Sequence, residues 1–381
     1  MSSRILSVMA QVAALTRAGK LTEATAQIQQ LLGRTPAPVA NQAAAPDAHP
    51  ADMIEGTFTR LDPAGVNPEP VRKPMARQPL AETLQHIARG GMPASKGARA
   101  VAGPVDRHLT SHSFTGPQGS RDYLLYLPDT PHDGPRPVIL MLHGCTQSPQ
   151  DFATGTGMNA QAAARGWIVV YPAQPAGANM NKCWNWFRPA DQSRDQGEPA
   201  VLAGIVREVI GQHSADPARI YVAGLSAGGA AAVVLGQVYP ELFAAVGVHS
   251  GLAAGSARDV PSAFAAMRNG AAGAAATQPI PTIVFHGTAD ATVDVKNAEA
   301  VAGQAQHGLS GKREVTRGRS GRTYTRSCLT APEGHSVGEV WLIDGAGHAW
   351  AGGNASGSFT DPTGPDASAQ MLRFFAQHDQ N

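Results

Sequence analysis

The sequence predicts an α/β fold with a mostly parallel central sheet flanked by helices. Three observations predict it. From about Arg107 onward, short apolar runs of strand length alternate with stretches of helical character. That alternation is the pattern of a parallel sheet covered on both faces. The motifs rich in glycine, serine, histidine and aspartate follow directly on the apolar runs, where open α/β sheets collect functional loops.

The elements follow in order. Arg121–Leu127 reads as a strand ending at Pro128, and Pro137–Leu142 as a buried apolar strand. Trp167–Tyr171 is another, stopped by Pro172, and a helix runs from about Pro199 to Ile210. Ile220–Ala223 is a strand and Ala227–Val238 a helix of small residues. Ala244–Val248, Ile283–Phe285 and Val340–Ile343 complete the strands, and a last helix covers about Pro365–Gln377.

Upstream, residues 2–33 read as two short amphipathic helices broken at Gly19-Lys20. The second places Leu21, Ala24, Ile28, Leu31 and Leu32 on one face and stops at Gly33. This hairpin, residues 1–33, suits packing or self-association. Residues 34–106 are expected to be a linker: eleven prolines fall between Pro36 and Pro104, too many for continuous regular structure. Leu80–Arg89 reads as a helix within it. Residues 107–381 form the expected α/β domain.

Composition narrows the function classes. The 381 residues carry a formal charge of +1, so no electrostatic footprint points to nucleic acid or an anionic membrane. Hydrophobic residues make up 43%, enough for a sizeable core. No apolar run reaches bilayer-spanning length. Ile5–Leu15 loosely imitates a signal peptide, but Ser7 and Gln11 interrupt it and Arg17 and Lys20 follow closely. The three cysteines, Cys145, Cys183 and Cys328, lack zinc-site spacing and allow at most one internal disulfide.

The chemistry begins at Gly224-Leu225-Ser226-Ala227-Gly228, a Gly-x-Ser-x-Gly sequence between a strand and a helix. A sharp strand-to-helix turn crowds the backbone, so glycine is needed on either side of the serine. The hydroxyl then stands at a helix N-terminus, where the dipole favours negative charge. A serine nucleophile needs a histidine base, and that base needs an acid to fix its tautomer. In α/β-hydrolases these follow in the order Ser, Asp or Glu, His. Asp290, directly after strand Ile283–Phe285, is the acid candidate, with Asp294 the alternative. His348, in Gly345-Ala346-Gly347-His348, follows the last strand and is the base candidate. His249 comes too soon after Ser226 for that order, and His335 precedes its strand.

His143-Gly144-Cys145-Thr146-Gln147 follows strand Pro137–Leu142, the place of the loop that lends one backbone N–H to an oxyanion. The expected donors are the N–H groups of Cys145 and Ala227, with His143 holding the loop. Cys183 lies in a loop at the same end of the sheet. A Cys145–Cys183 disulfide and a pair of reduced thiols both fit, and Cys328 is expected free. Trp184 and Trp186 are expected to line the acyl pocket, or else to form a buried core pair.

Together these segments, with Cys183-Trp184-Asn185-Trp186-Phe187 and His249-Ser250-Gly251-Leu252, resemble the polyhydroxybutyrate depolymerase-like esterases over residues 110–378. Feruloyl and acetylxylan esterases are relatives of that group. The resemblance implies an α/β-hydrolase fold and hydrolysis of short-chain 3-hydroxyacyl polyesters or of acyl groups on plant polysaccharides. It implies no cofactor and no metal, and an ester substrate, polymeric or oligomeric. It also implies an extracellular enzyme, whereas the N-terminus carries no convincing signal pattern, so a cytoplasmic location is the competing expectation. No stretch reads as the separate polymer-binding domain of many secreted depolymerases. The competing class is a catalytically silent polymer-binding protein, which a complete Ser-His-Asp set argues against; a peptidase would share the triad.

Overall fold

Strand-forming runs and helices assemble around one large sheet. A computed structural model describes residues 108–380 apart from Thr277, His307, Gly308, Ser310, Glu333 and His335. The expected hairpin at 1–33, its part in self-association and the linker at 34–106 lie outside the described residues.

Ten strands make the main sheet: β1 (Leu109–Gly116), β2 (Gly119–Tyr126), β3 (Arg136–Leu142), β4 (Ile168–Pro172), β5 (Ala215–Leu225), β6 (Ala245–His249), β7 (Thr282–Gly287), β8 (Lys312–Ser320), β9 (Arg322–Thr330) and β10 (Ser336–Ile343). Their spatial order is β1-β2-β4-β3-β5-β6-β7-β10-β9-β8. From β4 to β10 every neighbour is parallel. The antiparallel pairs stand at the two edges. A two-stranded parallel sheet joins β11 (Trp350–Ala351) to β12 (Thr360–Asp361).

Side chains alternate across the sheet and fill two cores. On one face Val138, Leu140, Ile220 and Val222 pack with α3 (Gly197–Gln212), α4 (Ala227–Val238), α5 (Val260–Asn269) and α6 (Lys296–Ala305). On the other, Ile139, Met141, Tyr221 and Ala223 pack with α1 (Pro149–Thr156), α2 (Met158–Ala163) and α7 (Ala367–Phe375). Successive residues of one strand thus serve opposite cores, as a period of two requires. At about 25 cal/mol per Å² of apolar surface buried, this double coverage is the main stabilising term.

The predicted α/β architecture holds, with differences at the margins. β1, β8 and β9 were not expected, because Leu109–Gly116 and Lys312–Ser320 carry few apolar residues; β8 is exposed along almost its whole length. Strand β4 runs through Pro172, which sits at its end opposite Tyr123. Strand β5 begins five residues earlier than expected, at Ala215. Helices α1, α2 and α5 were also unforeseen; α1 starts where Ser148 Oγ accepts the Asp151 N–H at 3.2 Å, with Pro149 next in the chain. No described helix is long and apolar enough to cross a membrane.

Candidate active site

The turn from β5 into α4 is built by the absence of side chains. Ser226 has φ 57° and ψ −119°, a conformation that costs a non-glycine residue about 1–3 kcal/mol. A Cβ on Gly224 would meet the backbone of Gly228, and would lie 2.7 Å from the Leu142 carbonyl oxygen. One on Gly228 would strike the same Leu142 oxygen and lie 2.6 Å from that of His143. The two glycines therefore let α4 start against the end of β3. Ser226 is held by its N–H donating to His249 O at 2.8 Å and its carbonyl accepting from Ala230 N–H at 3.0 Å.

Asp290 and His348 come together from loops after β7 and β10, which are adjacent parallel strands. Nδ1 of His348 lies 2.7 Å from Oδ2 of Asp290. Oδ1 accepts the N–H groups of Thr292 and Val293, each at 2.9 Å. Burial pushes the Asp290 carboxyl up, but the bond and charge of His348 and the Val293 N–H outweigh it and hold the group down to about 2. Asp294 points elsewhere: its Oδ1 accepts the Lys296 N–H at 3.0 Å at the start of α6. The structure thus pairs His348 with Asp290 and leaves Asp294 as a local turn residue.

The loop after β3 is tied down on every side but one. Gly144 N–H donates to Gln147 Oε1 at 2.9 Å and Thr146 N–H to Asn181 O at 2.7 Å. Between them, the Cys145 N–H has no protein acceptor among the described residues. Ala227 is the first residue of α4, where N–H groups lack intrahelical acceptors. Cys145 and Cys183 are joined by a disulfide with Cα atoms 4.2 Å apart, and Cys328 is free. His143 donates from Nδ1 to Gly144 O at 2.8 Å and accepts the Gln174 N–H on Nε2 at 3.1 Å. That tautomer is neutral, and burial pushes the ring down to about 4.

The aromatic loop packs inward, which was one of the two readings open for it. Trp184 is fully buried and Trp186 nearly so, both within the core on the α3–α4 face. The Trp184 indole N–H donates to His143 O at 3.0 Å. Trp184, without accessible surface, packs as core and braces the β3 loop, while Trp186 keeps 5% of its surface exposed.

Three residues passed over in the sequence matter here. His249, set aside by chain order, accepts the Ala351 N–H on Nε2 at 3.0 Å and stacks on Phe285 and Trp350. It joins the serine turn to the segment after His348, and burial pushes its ring down to about 3. Gln147 donates to Asp151 Oδ2 at 2.9 Å and to Ser358 O at 3.1 Å, linking the β3 loop to residues beyond His348. Glu198 is buried near the start of α3 against the loop that carries Cys183. The signal for His249 was its small-residue neighbours Ser250 and Gly251; nothing marked Glu198. Among the described residues, no cluster of His, Cys, Asp or Glu is arranged to hold a metal ion.

A serine on a strained turn, an imidazole oriented by an ionised carboxylate and two free N–H groups is an arrangement that can carry out acyl transfer. Comparison with known proteins agrees. The poly(3-hydroxyalkanoate) depolymerase C of Paucimonas lemoignei is 32% identical over 228 residues, covering 56% of this chain and 54% of that protein. Feruloyl esterase B of Thermothelomyces thermophilus is 36% identical over 140 residues, covering 36% of this chain and 47% of that protein. The chain thus spans about half the length of these relatives. An acetyl xylan esterase structure from Aspergillus awamori shares the fold, with a TM-score of 0.55 at 19% identity over 70% of this chain and 98% of that one. The family model described as esterase PHB depolymerase matches residues 121–326, more than half of the chain, and includes the β3 loop, the serine turn and Asp290. His348 lies beyond that match and is joined to it by its bond to Asp290; the chain belongs to the PHB depolymerase esterase family.

Proposed function

We propose that this chain is a serine esterase that hydrolyses carboxylic esters, with short-chain 3-hydroxyacyl esters of the polyhydroxybutyrate type as its substrates. The observation that carries the reading is the His348–Asp290 bond of 2.7 Å in the same layer of strand-end loops as the Ser226 turn. The depolymerase relative at 32% identity supports the acyl class.

In this mechanism His348 Nε2 takes the Ser226 hydroxyl proton as Oγ attacks the ester carbonyl. The C=O π bond opens, and the oxyanion accepts from the N–H groups of Cys145 and Ala227. Collapse breaks the ester C–O bond, and His348 returns the proton to the leaving alcohol. Water then attacks the acyl-enzyme by the same route, releasing the acid and restoring Ser226. Asp290 keeps the Nδ1 proton on His348 and stabilises the imidazolium. Neutral His143 and His249 hold the flanking loops without competing for that proton.

A second reading, an esterase acting on feruloyl or acetylxylan esters, is favoured by the feruloyl esterase at 36% identity. A panel separates the two: hydroxybutyrate oligomers, amorphous polyhydroxybutyrate, methyl ferulate and acetylated xylan, with Ser226→Ala as control. The proposal expects the highest kcat/KM on the hydroxybutyrate oligomers. Preference for ferulate or acetylxylan would transfer the assignment. No turnover of any ester, p-nitrophenyl butyrate included, would leave a binding protein.

A further inference from the structure

We infer that Glu198 is the positioning residue of the oxyanion loop: its buried carboxylate gathers Gln174 and Asn185, which hold the disulfide-linked segment 181–187 against residues 143–146. The inference rests on the esterase reading above, with Cys145 N–H as an oxyanion donor.

Glu198 is the second residue of α3, a place where a carboxylate is favoured by the helix dipole but normally faces water. Here it turns inward and is only 7% exposed. Oε2 accepts the Asn185 N–H at 2.7 Å. Oε1 accepts the Asn185 side-chain N–H at 2.7 Å and a short bond from Gln174 Nε2. The cation beside it, Arg121, stays 3.9 Å away, too far for a hydrogen bond, and its Nε has no partner among the described residues. The short contacts therefore go to the loops and not to the sheet, which is not how an ion pair serving stability alone would be arranged.

From those two partners the ties run to the site. Gln174 donates its N–H to His143 Nε2 at 3.1 Å and its side-chain N–H to Cys183 O at 2.8 Å. The next residue, Trp184, donates to His143 O at 3.0 Å. Asn181 O accepts the Thr146 N–H at 2.7 Å, and Cys183 is bonded to Cys145. Three bonds and a disulfide thus connect the segments that Glu198 gathers to the loop whose free N–H is at Cys145. Glu198 itself touches none of the reacting groups.

Glu198→Gln is the informative change. It keeps the volume but replaces one acceptor oxygen with a donor, so a buried N–H on Asn185 or Gln174 must face another N–H. With p-nitrophenyl butyrate, and active sites titrated by diethyl p-nitrophenyl phosphate, kcat per titrated site is expected to fall about 10–100-fold, by analogy with a displaced oxyanion donor. KM should change by less than about threefold, because ground-state binding does not use the oxyanion contact. Affinity for a trifluoromethyl ketone, whose hemiketal places an oxyanion in the same position, should fall in proportion to kcat. Gln174→Leu cuts the same tether from the other side, and should show the same pattern even where Glu198→Gln does not fold. An unchanged kcat per titrated site in a folded variant, or a lower kcat with unchanged ketone affinity, overturns the inference and leaves Glu198 as a stabiliser of the fold. A wild-type protein that the phosphate does not titrate at Ser226 overturns the esterase reading, and this inference with it.

Discussion

His348 Nδ1 lies 2.7 Å from Oδ2 of Asp290, while the other oxygen of that carboxylate accepts two backbone N–H groups. The carboxylate is thus fixed on one side by the chain turn and presents the other to the imidazole. Such an arrangement sets the ring orientation and the tautomer together. Asp290→Asn is expected to lower kcat by about 10⁴-fold, the cost of a wrong tautomer in serine proteases. Asp294→Asn, at a side chain that accepts the Lys296 N–H at the start of α6 and does not reach His348, should change kcat little. Steady-state kinetics on p-nitrophenyl butyrate decide it: a larger loss in Asp294→Asn would reverse the assignment.

The same carboxylate makes a pH-dependent contribution to stability. Its group is held down from an ordinary 3.8 to about 2, so the folded state binds the proton more weakly than the unfolded chain. The contribution, about 2 kcal/mol, is present above the unfolded value and is lost as pH falls from about 4 through 2. Urea midpoints of wild type and Asp290→Asn should therefore differ most near neutrality and converge at low pH. A gap that stays constant down to pH 2 would show that the ionised carboxylate is not the source.

The glycines of the serine turn are expected to differ sharply from a glycine on a helix surface. Gly228→Ala forces a methyl group into the Leu142 and His143 carbonyls and should destabilise by about 1–3 kcal/mol or more. Exposed Gly303, within α6, has open space around it, and Gly303→Ala should stabilise by about 0.4–1 kcal/mol. Thermal unfolding of the two variants reads both signs. Equal shifts would mean that crowding at the turn does not govern its sequence.

Reduction of the Cys145–Cys183 disulfide should cost both stability and rate. The bridge spans 38 residues, for which the chain-entropy relation gives about 3–4 kcal/mol. Non-reducing peptide mapping should recover the two cysteines in one linked fragment. After reduction kcat should drop, because Cys145 loses its covalent tie to the aromatic loop. Two alkylatable thiols at these positions in the native protein would count against the bridge.

A chain beginning near Arg107 is expected to fold and to hydrolyse a small soluble ester with kcat close to that of the full chain. All the motifs that carry the chemistry lie after Arg107 in the sequence, and eleven prolines between Pro36 and Pro104 argue against a continuous helix or sheet there. Loss of most of the kcat in a folded truncated chain would place part of residues 1–106 over the site.

Much of this architecture was legible because burial and chemistry leave separate marks in a sequence. The strands from β3 to β7 and β10 are buried on both faces, so apolar runs reveal them. The edge strands β1 and β8 left no such mark. Their pairing rests on backbone bonds to a neighbour, and an exposed strand such as Lys312–Ser320 reads as a charged loop. The serine turn, Asp290 and His348 stood out because glycines and strand ends surround them. Trp184 and Trp186 left two readings open, because an aromatic pair in a loop looks the same in sequence whether it faces a pocket or a core.

By itself, then, the sequence determined the α/β class, the sheet interior and the chain order of serine, aspartate and histidine. These follow from local periodicity and from the steric needs of a turn. Tertiary structure alone decided that Asp290 and not Asp294 meets His348, that Cys145 is bridged to Cys183, that Trp184 is core, and that His249, Gln147 and Glu198 hydrogen-bond to the loops around the site. Each of those is a meeting of groups between 13 and 211 residues apart or a matter of a few ångströms within one loop, and one-dimensional spacing carries no record of such distances. The hydrogen bonds and burial that select them exist only once the two cores have closed on the sheet.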